Sequence, residues 1–287
     1  MSEDVVALER DPEIREVIAR ALAEDVGPGD ATTLALVDAQ ATASARIVAR
    51  HELVVAGVGV AAEVFRMAEP ALQVECLAAD GEAVGAGTAV LRVQGPARAL
   101  LTAERTALNL LQRMCGIATA TECLVRIVLD YGTMILDTRK TVPGLRRLDK
   151  HAVRCGGGTN HRIGLHDAIL IKDNHLAFWR QTRQGTLADA VSAARAAYPG
   201  LKIEIEMDTL EQLQEALPGK PDWVLLDNMP PETVAEAVLL CGGLCKTEAS
   251  GGITKDNIRE YARAGVTAIS VGALTHSTQA ADLGLDF

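Results

Sequence analysis

IEIEMDTLEQLQEALPGKPDWVLLDNMPPETVAEAVLLCGGLCKTEASGG, residues 203–252, repeats one pattern. Short apolar runs, IEIEM, WVLLDN and LCKTEAS, are separated by the helix-like stretches LEQLQEAL and PETVAEAVLLCG. The runs are strand-sized, and a helix between two strands is the usual way to return a chain for parallel pairing. The pattern extends outward in both directions. MILDTRK, AILIKDN and the helix-like LADAVSAARAAY precede it, and ITKDNIREYARAG and AISVGAL follow. Six such units after about residue 116 predict a closed or nearly closed α/β barrel, with a doubly wound sheet as the alternative.

The polar residues fall at the ends of these runs. They are Asp137, Thr138, Arg139 and Lys140, then Lys172, Asp173 and Asn174, then Glu204, Glu206 and Asp208. Asp227 and Asn228, Lys246 and Glu248, and finally Gly272 complete the series. In α/β barrels the carboxyl ends of the strands form the active-site face. Within IEIEMD the period of two puts Glu204, Glu206 and Asp208 on one side. Glu206 and Asp227 suit magnesium on a polyphosphate, directly or through water, or else pair with neighbouring Lys and Arg. Two glycine turns follow the last strands, Ser250-Gly251-Gly252 and Gly272-Ala273. Their backbone amides suit a phosphate.

The chain is acidic, with 28 Lys+Arg against 38 Asp+Glu and a pI near 5.1. Yet residues 138–172 hold Arg139, Lys140, Arg146, Arg147, Lys150, Arg154, Arg162 and Lys172 against only Asp149 and Asp167. Acidity and an aromatic content of 3% argue against nucleic acid and membrane surfaces as partners. A local cationic cluster points instead to a small anionic ligand, because guanidinium forks grip carboxylate or phosphate. The glycines of GGG, 156–158, allow amides to approach oxyanions. Arg146, Arg147 and Lys150 read better as a solvated loop or subunit contact. His161 and His276 are candidates for the same anions, while His51, His151 and His166 read as surface or structural residues.

Ahead of the barrel run the texture differs. EIREVIARALAE, 13–24, has helical spacing, residues 42–95 are β-rich pieces between glycine turns, and PARALLTAERTALNLLQRMCG reads as one long helix ending at Gly116. GVGVAA, 57–62, fits G-x-G-x-x-A between a strand and a helix, the one signal for a dinucleotide-dependent oxidoreductase, but clean βαβ units do not follow it. The six cysteines are scattered without zinc spacing, which fits reduced thiols and a cytoplasmic protein. The acidic N-terminus is no signal peptide, and no apolar run is long enough to span a bilayer.

With these residues in hand, the chain resembles the quinolinate phosphoribosyltransferases (carboxylating nicotinate-nucleotide pyrophosphorylases) almost end to end. LAEDVGPGDATT, AERTALNLLQRMCGIAT (103–119), DTRKTVPGLR, GGGTNHRIGLHDAILIKDNH, EIEMDTLEQL, VLLDNM, EASGGI and SVGALTHS follow the order of the family's motifs. The resemblance implies an N-terminal α/β sandwich (1–115), an incomplete, open α/β barrel (116–275) and a C-terminal segment (276–287) returning to the first domain. It implies a homodimer in which Arg105 reaches the partner's active site. Thr138, Arg139, His161, Arg162 and Lys172 would hold quinolinate. Lys140, Glu206, Asp227, Ser250, Gly251, Gly252, Gly272, Ala273 and His276 would serve 5-phosphoribosyl 1-pyrophosphate and Mg2+, with Lys140, Lys172, Glu206 and Asp227 nearest the chemistry. A related barrel phosphoribosyltransferase acting on nicotinate or another pyridine-like substrate is the nearest alternative. A non-catalytic anion-binding protein is a more distant one.

Overall fold

The computed structural model describes residues 8–287. Its strands are β1 (Thr42–Ala49), β2 (Leu53–Val54), β3 (Gln73–Cys76), β4 (Ala83–Val84), β5 (Ala89–Pro96) and β6 (Met134–Leu136). They continue with β7 (Ile169–Ile171), β8 (Ile203–Met207), β9 (Trp223–Asp227), β10 (Lys246–Ser250), β11 (Ala268–Ser270) and β12 (Leu283–Asp286). The chain divides into two compact units. One contains the described residues up to Glu122 with Thr141–Gly157 and Leu274–Phe287; the other contains Cys123–Lys140 and Gly158–Ala273.

The first unit is built on an antiparallel sheet of order β12-β1-β5-β3, with β2 and β4 paired separately. Helix Pro12–Val26 starts on the Asp11 side chain, which accepts from the Glu13 amide, and buries Ile14 and Ile18. These join Ile47, Phe65, Leu91, Leu100, Leu108 and Leu111 in one apolar core, each such side chain contributing about 1.5–3 kcal/mol by leaving water. Near the C-terminus Leu283–Asp286 pairs with Arg46–Ala49 as the edge of this sheet.

Three features of this unit differ from the sequence reading. The long helix runs Ala97–Val128, so Gly116 is interior rather than terminal. Its glycine answers a close approach, since a Cβ there would lie 2.2 Å from Gln279 O. GLRRLDK is a solvated loop only in part: Gly144 sits in an exposed turn and Arg147 is exposed, but Arg146–Cys155 is a helix with Asp149 and Lys150 0% and 2% exposed. Arg113 grips the Asp149 carboxylate with two 2.8 Å bonds and also reaches Thr275 O at 2.9 Å. Arg147 pairs with Glu13 and Asp11. Gly156, the first of the triple glycine, is a packing residue, because a Cβ would meet Ala118 O at 2.2 Å.

The dinucleotide signal also dissolves. The amides of Gly57 and Val58, at the start of helix Val58–Ala68, both donate to Asp80 Oδ1, at 2.9 and 3.1 Å. Asp80 thus fills the helix N-terminus where a pyrophosphate would sit.

The second unit is an all-parallel sheet of order β6-β11-β10-β9-β8-β7. Sequence order and spatial order together describe a barrel open between β6 and β7, the expected incomplete α/β barrel. Period two explains why these strands work as a wall. Ile203, Ile205, Met207, Val224, Leu226, Ala249 and Ile269 are 0% exposed. The alternate positions Glu204, Glu206, Leu225, Asp227, Glu248, Ser250 and Ser270 line the interior cavities. Register sets Glu206 beside Leu225, Leu225 beside Glu248, and Asp227 beside Ser250. Among the described residues no helix is long and apolar enough to cross a membrane.

Candidate functional site: a cationic cavity at the strand ends

A cavity of about 410 Å³ lies at the carboxyl ends of the parallel strands. Thr138, Arg139, Lys140, His161, Arg162, Lys172, Glu206, Asp227 and Ser250 all border it. Nine of the sequence candidates thus converge from six segments of chain. Gly251 and Gly252 stand in the turn beyond β10, and Gly272 stands in the turn beyond β11, with Ala273 opening the short helix Ala273–His276. Gly251 is explained by backbone geometry, with φ +94° and a Cβ position 2.2 Å from Asn228 Oδ1. The helix after Ser250-Gly251-Gly252 begins only at Ile258, so those amides belong to a turn and not to a helix start. Arg105 and His276 belong to the first unit and are exposed; His276 Nδ1 lies 2.6 Å from Ser277 Oγ.

The open edge of the barrel is finished by the loop carrying His161. Thr159 bridges to Leu136, donating to Ile135 O at 2.8 Å. Asp137, fully buried, then accepts from Asn160 Nδ2 at 2.6 Å and from the His161 amide at 2.9 Å. Asp167 accepts from the Ile163 and Gly164 amides and closes the loop. One Nη1 hydrogen of Arg162 goes to Ala168 O at 3.1 Å. The rest of its fork is available to a ligand.

Two guanidiniums therefore share the cavity. Burial, then the Arg139 charge, holds the Arg162 guanidinium below its usual proton affinity. Arg139 Nε is buried without a hydrogen-bond partner. Such a group waits for an acceptor, since a buried unsatisfied donor costs about 1–3 kcal/mol. Across the cavity Lys172 Nζ lies 2.7 Å from Glu206 Oε2, which is the ion-pairing alternative realised. Asp227 is oriented by Asn228 Nδ2 at 2.7 Å. Burial and the charge of Asp208 raise the Asp227 carboxyl above its usual range, with Lys172 opposing. Glu206 and Asp227 offer hard oxygen ligands on one cavity wall and so fit magnesium.

The site also contains residues the sequence reading had placed at strand ends without giving them a role. His161 Nε2 lies 2.9 Å from Glu204 Oε2 and 3.5 Å from Glu248 Oε2. Burial opposes charge on the ring, but the two carboxylates prevail and raise it to about 10. Burial and the Glu248 charge raise Glu204 to about 7. Nδ1 meanwhile accepts from the Arg162 amide at 2.8 Å, which opposes a second ring proton and leaves the first on Nε2. The Nε2 lone pair is then not offered to a metal, although His161, Glu204 and Glu248 present ligand atoms within 4.8 Å of one another. The signal for Glu204 was its alternation with Glu206.

An open parallel barrel with a cation-rich cavity and paired carboxylates at its strand ends is the architecture of an enzyme that joins anionic substrates. The sequence matches the quinolinate phosphoribosyl transferase N-terminal domain over residues 30–115 and the C-terminal domain over 117–286. It is 46% identical over 280 residues to a carboxylating nicotinate-nucleotide pyrophosphorylase of Mycobacterium leprae, covering 95% of this chain and 96% of that one. It is 42% identical over 275 residues to a probable enzyme of the same name from Bacillus subtilis, covering 96% and 93%. The fold superposes on the nicotinate-nucleotide pyrophosphorylase of Francisella tularensis with a TM-score of 0.90 at 37% identity, covering 98% and 99%. The chain belongs to the quinolinate phosphoribosyltransferase family.

Proposed function

We propose that the cavity at the strand ends joins quinolinate to 5-phosphoribosyl 1-pyrophosphate, giving nicotinate mononucleotide, pyrophosphate and carbon dioxide in NAD biosynthesis. The observation that carries this reading is the convergence of Arg139, Arg162, Lys140 and Lys172 on one cavity that also holds Glu206 and Asp227. Quinolinate is a dianion at neutral pH, since carboxyl pKa values lie well below 7, and its partner carries more charge. At ~4 Å and an effective dielectric of about 20, each uncompensated pair of like charges costs roughly 4 kcal/mol. A site that brings the two together must supply cations, and two arginines suit the two carboxylates.

Arg139, Arg162 and Lys172 bind the pyridine dicarboxylate and aim its nitrogen. Lys140, Ser250 and the backbone at Gly251-Gly252 and Gly272-Ala273 take the phosphates. The nitrogen lone pair attacks the anomeric carbon, and the bond to pyrophosphate breaks with its electrons leaving on oxygen. Glu206 and Asp227 favour the positive charge that develops on the sugar, as carboxylates do in glycoside cleavage. Glu206 and Asp227 would also hold magnesium, which when bound neutralises the departing pyrophosphate. The pyridine nitrogen is then cationic, so the bond from C2 to its carboxylate breaks with the electron pair left beside that charge. A proton from water fills C2. Positioning and electrostatics supply the rate.

The exposed Arg105 completes the pocket of a second subunit in a homodimer. The six free cysteines accord with a reducing, cytoplasmic setting. Incubation with quinolinate, phosphoribosyl pyrophosphate and magnesium should give equal amounts of carbon dioxide and nicotinate mononucleotide. Turnover of nicotinate in place of quinolinate would support the alternative, and binding without turnover would end the enzymatic reading.

A further inference from the structure

The scheme above gives no part to Glu204 and Glu248, yet both glutamates are buried inside the barrel, 7% and 1% exposed. Taking two like charges out of water is costly, and apolar residues would fill the same space at less expense. Their common neighbour is His161, whose Nε2 they face at 2.9 and 3.5 Å. The rest of that residue is equally constrained. Its amide is tied to Asp137 at 2.9 Å, and its Nδ1 accepts from the Arg162 amide at 2.8 Å. With both nitrogens engaged, what the ring fixes is the backbone of Arg162.

His161, Arg162 and Glu248 border both the 410 Å³ cavity and a second one of about 250 Å³, whose lining includes Met134, Trp223 and Lys246 at the amino ends of the strands. Glu204 borders the second cavity alone, and its Oε1 has no hydrogen-bond partner. Glu204 thus meets His161 from the side away from the substrate cavity, while Glu248 borders both.

We infer that Glu204 and Glu248 are positioning residues for substrate recognition: they lock the His161 ring, and the ring sets the Arg162 guanidinium at its place in the cavity. The inference rests on the reading of that cavity as the quinolinate pocket. Glutamate at 204 acts here as an acceptor for Nε2–H, so glutamine can replace it and methionine, of similar volume, cannot.

Steady-state kinetics with each substrate varied in turn test this on purified, folded protein. Glu204→Met should raise the KM for quinolinate about tenfold or more, the worth of one hydrogen bond to a charged group. The KM for phosphoribosyl pyrophosphate should stay within about twofold. Glu204→Gln should recover most of the loss. Glu248→Met serves as a second probe with the same split expected, should Glu204→Met fail to fold. A folded Met variant with the wild-type quinolinate KM overturns the inference. So does an equal rise in both KM values, or a Gln variant as impaired as Met. An inactive wild-type protein would instead sink the functional reading itself.

Discussion

Replacing Arg162 by alanine removes the fork that the quinolinate reading depends on. One Nη1 hydrogen is already spent on Ala168 O at 3.1 Å, which fixes the group and leaves its other donors for ligand. Two charge-assisted hydrogen bonds to a carboxylate at about 1.5 kcal/mol each come to about 3 kcal/mol, roughly 150-fold in affinity. The free protein loses little, because the guanidinium is held below its usual proton affinity by burial and by Arg139. The cost therefore falls on the complex. The assay is nicotinate mononucleotide formation with quinolinate varied at saturating phosphoribosyl pyrophosphate and magnesium, then the converse. The expected outcome is a quinolinate KM raised about 100-fold or more with the other KM within about twofold. A rise below about tenfold in a folded variant, or equal rises in both, would refute the reasoning.

Arg105→Ala and Lys172→Ala should each be inactive alone. Mixed with subunit exchange, they should recover roughly a quarter of wild-type sites, because each mixed dimer of a two-fold assembly rebuilds one whole pocket; no recovery after proven exchange counts against a shared site. Gly116→Ala should lower the melting temperature by several degrees, although alanine favours helix by about 1 kcal/mol, because its Cβ would overlap Gln279 O at 2.2 Å. A more stable Gly116→Ala protein would show that this contact yields. The pH dependence has a definite sign. Glu204 binds its proton more tightly folded than unfolded, at about 7. Its stabilisation is complete below about pH 4.5 and is lost as pH rises through the folded value. Thermal unfolding from pH 5 to 8 should show wild-type stability falling relative to Glu204→Gln; a rising difference contradicts the proton-holding cluster.

The barrel was legible because its physics is local. Alternation in IEIEM and WVLLD separates the outward Ile203, Ile205, Val224 and Leu226 from the inward Glu204, Glu206 and Asp227. Charge at strand ends then marked the cavity before any geometry was known. What escaped depends on contacts distant in sequence. Gly116 and Gly156 look like a helix end and an oxyanion loop until Gln279 and Ala118 are seen against them. Asp149 and Lys150 look solvated until the helix Arg146–Cys155 buries them and Arg113 arrives from 36 residues away. Asp80, 22 residues beyond Val58, decides that GVGVAA binds no pyrophosphate. Glu204 and Glu248 stood in the list of strand-end groups, but only the ring of His161 between them gives their burial a meaning.

The central claim is that the dianion sits among Arg139, His161, Arg162 and Lys172 at the strand ends. A crystal structure of the protein with quinolinate tests it most directly. The account predicts the pyridine ring in the 410 Å³ cavity, one carboxylate on the Arg162 fork and the buried Nε of Arg139 paired at last. Quinolinate found elsewhere, or in that cavity with both arginines turned away from its carboxylates, would contradict it.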